Sequence, residues 1–98
     1  MINHTVSWRL NDGVDEPWFN QQFQKLAGID GVRHLEITRQ LSAKCPFTWS
    51  ASMWFETAET FAAYEHHPDH VAYVEGTWLP HVAEFMEQDF ERPAPWLR

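Results

Sequence analysis

Residues 2–10, INHTVSWRL, alternate strictly: Ile2, His4, Val6, Trp8 and Leu10 fall on one face, and Asn3, Thr5, Ser7 and Arg9 on the other. A two-residue period over this length describes a strand buried on one side, the usual condition in an antiparallel sheet. His4 is the exception in the apolar row. A histidine on a covered face needs a hydrogen-bond partner, so the fold has to cover this strand and also supply that partner.

The rest of the chain provides the cover. After the turn residues NDG, the stretch VDEPWFNQQFQKLAG reads as a short helix, with Asp15 as cap, Pro17 in the first turn and Gly28 at its end. Trp18, Phe19, Phe23 and Leu26 form its expected buried stripe. A second strand is expected over about 32–41, with Leu35 and Ile37 on one face and His34, Glu36 and Thr38 on the other. A third is expected over about 47–56, with Phe47, Trp49, Ala51, Met53 and Phe55 inward. Thr57 caps a second helix carrying Phe61 and Tyr64, Pro68 interrupts it, and a further helical segment runs to about Trp78. Pro80 precedes a last strand over about 82–90, and residues 91–98 read as a tail. The order β-α-β-β-α-β is the split βαβ pattern of ferredoxin-like α+β domains, with the first strand central and antiparallel to the third and fourth.

A chain of 98 residues makes one domain, 1–98, with a modest core. Six Trp, seven Phe and two Tyr give that core large stiff pieces, which also suit the wall of a pocket for a flat organic ligand. Seven basic residues against fourteen acidic ones leave a net charge of −7 and no basic patch, which argues against nucleic acid or an anionic membrane as partner. Cys45 is the single cysteine, no stretch has the length of a membrane span, and the first residues lack the pattern of a signal peptide. A cytoplasmic location is the expectation.

The densest chemistry lies in AAYEHHPDHVAYVEG, residues 62–76, which holds three histidines and two tyrosines. Tyr64, His67 and His70 recur at three-residue steps, with Pro68 breaking the helical phase. His67 precedes the proline and is therefore extended. Its ring either caps the following segment or faces a pocket. For His4, antiparallel pairing brings the end of the fourth strand alongside, and its inward residues are Phe85, Glu87 and Asp89. The expected partner of His4 is Glu87, which would fix the imidazole tautomer.

These residues carry a family resemblance. NHTVSWRL, FETAETFAAYEHHPDHVAYVEGTWLPHVAEF and the closing QDFE resemble the stress-responsive α/β-barrel (Dabb) family over nearly the whole chain, most specifically at Tyr64-x-x-His67-Pro-x-His70-Val. The resemblance implies a ferredoxin-like protomer whose sheet packs on that of a second copy, giving a homodimeric α/β barrel. It also implies the chemistry of the family's polyketide cyclases of the olivetolic acid cyclase type, which close a poly-β-keto chain by aldol condensation. On that reading His70 is the base, Tyr64 assists it and His4 lines the pocket. The first helix here is shorter than in those enzymes, and Asp69 replaces a small residue.

Aldol closure needs a base that works near neutral pH and a donor for the enolate oxygen, roles that suit histidine and tyrosine. The expected catalytic set is therefore His70, Tyr64 and His4. Val6, Trp8, Trp49, Ala51, His67, Tyr73, Phe85 and Glu87 are the expected contacts of a small hydrophobic or aromatic ligand. His4, His67, His70 and Glu87 offer metal-ligand types, but nothing in their spacing fixes a count or geometry, so neither a metal nor a cofactor is assigned. Two other functions fit the same residues: a non-catalytic ligand-binding stress protein, and a cofactor-free monooxygenase on a related barrel. Trp54, Met86 and Phe90 share the opposite sheet face and suit a subunit interface, and Trp96 in the tail is a candidate latch onto a partner.

Overall fold

A computed structural model describes residues 1–92; the reading of Trp96 lies outside them. Strand β1 (Ile2–Leu10) sits between β3 (Trp49–Phe55) and β4 (Val82–Glu91), antiparallel to both, and β2 (Arg33–Arg39) flanks β3. The sheet order β2-β3-β1-β4 is the expected ferredoxin-like topology. Glu91, expected in the tail, is the last residue of β4 and pairs with Ile2.

Helix α1 (Glu16–Gln24) starts where Asp15, in extended conformation, accepts a hydrogen bond from the Trp18 amide at 3.1 Å. Its α-helical hydrogen bonding ends at Gln24, and a tighter 3-10 turn, Lys25–Gly28, carries the chain to the expected glycine. Phe19, Phe23 and Leu26 are buried as the periodicity requires. Trp18 is not: it is 39% exposed and lies edge-on to His81. The apolar stripe is one residue narrower than the sequence pattern suggests, because Trp18 precedes Phe19 and points about 100° away from it.

The two middle strands are shorter than expected. In β2 the register with β3 slips between Arg33 and Glu36, where His34 takes a positive φ of 54°. Gly31, just before it, has φ +91° and packs so closely on Thr60 that an added Cβ would clash with the threonine methyl. Phe47 is buried but precedes the first paired residue of β3, Trp49.

Helix α2 (Ala58–Glu65) is capped by Thr57, whose hydroxyl accepts from the Thr60 amide. Pro68 then opens a separate short helix, α3 (Pro68–Tyr73), rather than bending the first. The chain stays helical beyond Trp78 through a π-helical turn, Val74–Trp78, and a last turn α4, Leu79–His81. The π-turn accommodates Pro80 in the first turn of α4, so the proline does not end the helix.

The helices cover the β1 face bearing His4, Val6, Trp8 and Leu10, all of them buried. Trp8 is the hub. Its indole stacks on Phe23 at 4.9 Å and 12°, with Phe19 and Trp78 tilted against it. Burying one such ring removes roughly 200 Å² from water, worth on the order of 5 kcal/mol at about 25 cal/mol per Å². Phe55, Phe61 and Tyr64 form a second aromatic group at the other end of the sheet.

Among the described residues no helix packs on the other face. There Asn3 donates to Ser52, Thr5 donates to Asn3, and Ser7 and Ser50 bond one another. Met86 and Phe90 stand 50% and 49% exposed, and the Arg92 guanidinium covers Trp54 at 4.7 Å.

Candidate functional site

The site begins with one cross-strand pair. In the β1–β4 register His4 lies opposite Asp89, and Val6 lies opposite Glu87. The His4 ring is 7% exposed, and its Nδ1 lies 2.5 Å from Asp89 Oδ1. The carboxylate accepts the Nδ1 proton, which leaves Nε2 as the lone-pair nitrogen of neutral His4. The expected carboxylate partner is therefore present, but it is Asp89 and not Glu87. The two acids share one face of β4 two residues apart, and the register alone decides between them.

Tyr64 connects His4 to the short helix α3. Its ring centroid is 6.4 Å from that of His4 and 4.5 Å from that of His70. His70 is placed by the corner between α2 and α3, where its Nδ1 lies 3.0 Å from the carbonyl of Glu65 at the end of α2. A carbonyl only accepts, so Nδ1 carries the proton and Nε2 is again the free lone pair. The corner that Pro68 imposes thus sets a histidine with a defined tautomer beside a buried phenol.

A cleft of about 110 Å³ opens beside this group. His4, Tyr64, His70 and Glu87 supply its polar wall, and Val6 and Leu26 its floor. Phe23, Tyr73, Trp78 and Phe85 add aromatic surface, with Val74 and Leu79 beyond them. Burial, reinforced by the nearby carboxylates of Glu65 and Glu87, pushes the Tyr64 hydroxyl far above its ordinary pKa of 10.0. Burial also pushes Tyr73 up, with Tyr64 adding to the effect. Both phenols therefore stay protonated as donors. The Tyr73 hydroxyl is buried without a hydrogen-bond partner among the described residues, and so is the Trp8 indole nitrogen.

Of the residues expected around a ligand, Val6, Tyr73, Phe85 and Glu87 line this cleft together with His4, Tyr64 and His70. The structure places four others elsewhere. Trp8 and Ala51 are wholly enclosed in the core. Trp49 lies at the far end of β3, where its indole nitrogen donates to Glu16 and Arg39 stacks on its ring. His67 caps α3, its Nδ1 accepting from the Asp69 amide at 3.0 Å. Inward-facing strand positions serve core and cleft alike, and which they serve depends on where the helices lie over them. Phe23, Leu26, Val74, Trp78 and Leu79 are lining residues the sequence pattern does not single out, since they join the cleft only where the segment through α1 and its 3-10 turn meets the π-turn and α4. No three His, Cys, Asp or Glu side chains converge as a metal-binding group among the described residues.

This arrangement sits on a scaffold with relatives. Residues 2–92 match the family described as Stress responsive A/B Barrel Domain, Dabb. The chain belongs to that family. Among curated proteins it is 28% identical over 95 residues to a stress-response A/B barrel domain-containing protein of Arabidopsis thaliana. That match takes in 92% of this chain and 36% of the relative, so the chain spans about a third of that protein's length. A Dabb protein of ferredoxin-like fold from Mesorhizobium loti superposes with a TM-score of 0.83 at 34% identity, covering 94% of this chain and 96% of that one. A dimeric ferredoxin-like protein from Thermobifida fusca gives 0.76 at 23% identity, with 93% and 90% covered. The hydroxynitrile lyase of Passiflora edulis gives 0.83 at 10% identity, with 97% and 95% covered, a likeness of fold alone. A protein described as a hydroxynitrile lyase thus shares this fold, and so does a ferredoxin-like protein described as dimeric. Among the described residues no helix is long and apolar enough to cross a membrane.

Proposed function

We propose that this Dabb protein is a cofactor-independent acid–base enzyme that makes or breaks a bond at the carbonyl group of a small organic molecule. His70 is the base, Tyr64 the donor, and the His4–Asp89 pair a second, oriented acid–base group. The observation that carries this reading is the His70 tautomer: Nδ1 is held by the Glu65 carbonyl, so Nε2 is left to accept a proton beside the Tyr64 ring. In the aldol direction, Nε2 takes a proton from the carbon next to a carbonyl, and the Tyr64 hydroxyl donates a hydrogen bond to the enolate oxygen. The enolate carbon then bonds to a second carbonyl carbon, and the resulting alkoxide recovers the proton from the imidazolium. Cleavage runs the same steps backwards. The protein described as a hydroxynitrile lyase on this fold supports the lyase class without fixing the substrate.

The cleft is well under the roughly 300 Å³ at which pockets for drug-sized ligands begin, which favours a compact ligand over a long polyketide chain. Open space beside Tyr64 and His70 favours a ligand-handling site over a packed structural cluster. The reading also includes a second copy of the chain against the open sheet face, supported by the exposure of Met86 and Phe90 and by the dimeric neighbour. Sedimentation of the purified protein reads that directly.

Proton transfer is tested by deuterium uptake at the carbon next to the carbonyl of small aryl ketones, followed by NMR under nitrogen. Uptake that falls to background in His70→Ala and at least about tenfold in Tyr64→Phe supports the assignment. Uptake unchanged in His70→Ala, or none with the native protein, overturns it. Activity that appears only when dioxygen is admitted favours the monooxygenase reading instead.

A further inference from the structure

Charge distributes unevenly around the cleft. Among the described residues no Lys or Arg lines it. Arg9 is held by Glu84, Arg33 by Glu56 and Lys25 by Gln22, while Arg39 and Arg92 lie over Trp49 and Trp54. On β4, Glu84 pairs with Arg9 and Asp89 with His4. Glu87 lies between them on the face that meets the cleft and has no hydrogen-bond or ion-pair partner among the described residues. The same cleft is lined by the aromatic rings of Tyr64, Tyr73, Trp78, Phe85 and Phe23.

A carboxylate without a counter-ion at the edge of an aromatic cleft is the pairing that recognises an organic cation. The ring faces attract positive charge through their quadrupoles, and the carboxylate adds a direct attraction. The same pairing repels an anion, for which the described residues of the cleft offer no Lys or Arg. We infer that the ligand of this site is a small aromatic carbonyl compound bearing an amino group that is protonated at neutral pH, with Glu87 as its counter-charge, and that carboxylates and phosphate-bearing thioesters are excluded. The inference rests on the cleft being the substrate site proposed above and specifies what enters it.

Three probes of similar shape separate charge from fit: benzylamine, benzyl alcohol and benzoate. Each is titrated into the native protein at low salt and about pH 8. Binding is read from the ring resonances of His4 and His70 and the indole of Trp78. The expected result is benzylamine about tenfold tighter than benzyl alcohol, and benzoate weaker than the alcohol by a similar factor. Glu87→Gln should bring all three within about threefold of one another, and Glu87→Lys should invert the order. Glu87 is exposed and unpaired, so both variants keep the fold, which the dispersion of the same spectra verifies. Benzoate binding as tightly as benzylamine, or ratios unchanged in Glu87→Gln, overturns the inference and leaves the proton-transfer reading to the deuterium experiment. If no probe moves the cleft resonances, the inference falls as well, and the deuterium experiment alone decides the proton-transfer reading.

Discussion

His4 on β1 and Asp89 on β4 face one another across the sheet, and a buried imidazole nitrogen meets a carboxylate that is still open to water on its other side. The bond removes the cost of burying the Nδ1 proton without an acceptor. Asp89→Ala should therefore destabilise the fold by about 1–2 kcal/mol, with water recovering part of the loss, whereas Asp89→Asn keeps an acceptor oxygen and most of the stability. Urea unfolding measures the difference. Nitrogen-15 shifts of the His4 ring should show the Nδ1–H form in the native protein and its loss in the alanine variant. An alanine variant as stable as the native chain, with its tautomer unchanged, would remove Asp89 from the orienting role.

The two tyrosines predict an alkaline limit. They are the only tyrosines in the chain, and both hydroxyls are pushed above 10.0, chiefly by burial. Above pH 10 the unfolded chain releases these protons while the folded chain retains them. The folded state therefore binds more protons, and stability falls as pH rises. The contribution is fully present below pH 10 and is lost progressively above it. Tyrosinate absorbance should thus appear together with unfolding, and not in advance of it. In Tyr64→Phe/Tyr73→Phe the loss of stability above pH 10 should flatten; a slope unchanged from the native protein would contradict the burial of these phenols.

The first strand shows how far the sequence reaches. Strict alternation placed His4, Val6, Trp8 and Leu10 on one buried face, because the side-chain period of a strand admits no other arrangement. The choice between Asp89 and Glu87 as partner of His4 was not legible, since a shift of two residues between β1 and β4 leaves every side chain on its own face. Trp8 and His4 look alike in the pattern, yet one is core and the other cleft. The difference lies in where α1 and the π-turn rest on the sheet, which is tertiary information. His67 was legible in part. A histidine before proline is extended, and an extended residue ahead of a helix is placed to cap it. The π-turn that carries the helix through Pro80 left no signal in local propensity, because proline near a strand start usually ends the helix before it.

Trp49 gives a control at a distance from the cleft. Its indole nitrogen donates to Glu16 in the first turn of α1, and Arg39 covers the ring at 5.6 Å. The group pins the helix start to the start of β3. Trp49→Phe keeps the ring but removes the donor, and should cost about 1–2 kcal/mol in thermal or urea unfolding, toward the upper end of the range for a bond to a charged acceptor. Benzylamine affinity should stay within about twofold of native, because the residue does not line the cleft. A large affinity loss at unchanged stability would return Trp49 to the ligand site.

His67 separates capping from ligand contact in the same manner, but nearer the chemistry. Its Nδ1 accepts from the Asp69 amide in the first turn of α3, the helix that carries both His70 and Tyr73. Asparagine can make the same bond from its side-chain oxygen, and alanine cannot. His67→Ala should lose about 1 kcal/mol of stability, and His67→Asn only a few tenths. The loss acts on a six-residue helix with little else to hold its start, so the corner between α2 and α3 should loosen, and with it the bond from His70 to the Glu65 carbonyl. The alanine variant should then show the His70 ring as a mixture of tautomers in nitrogen-15 spectra, while the asparagine variant keeps the Nδ1–H form. Deuterium uptake should follow the tautomer: reduced severalfold with alanine and near native with asparagine. If His67 instead touched the ligand, both substitutions would lower binding alike, and the His70 tautomer would not change in either.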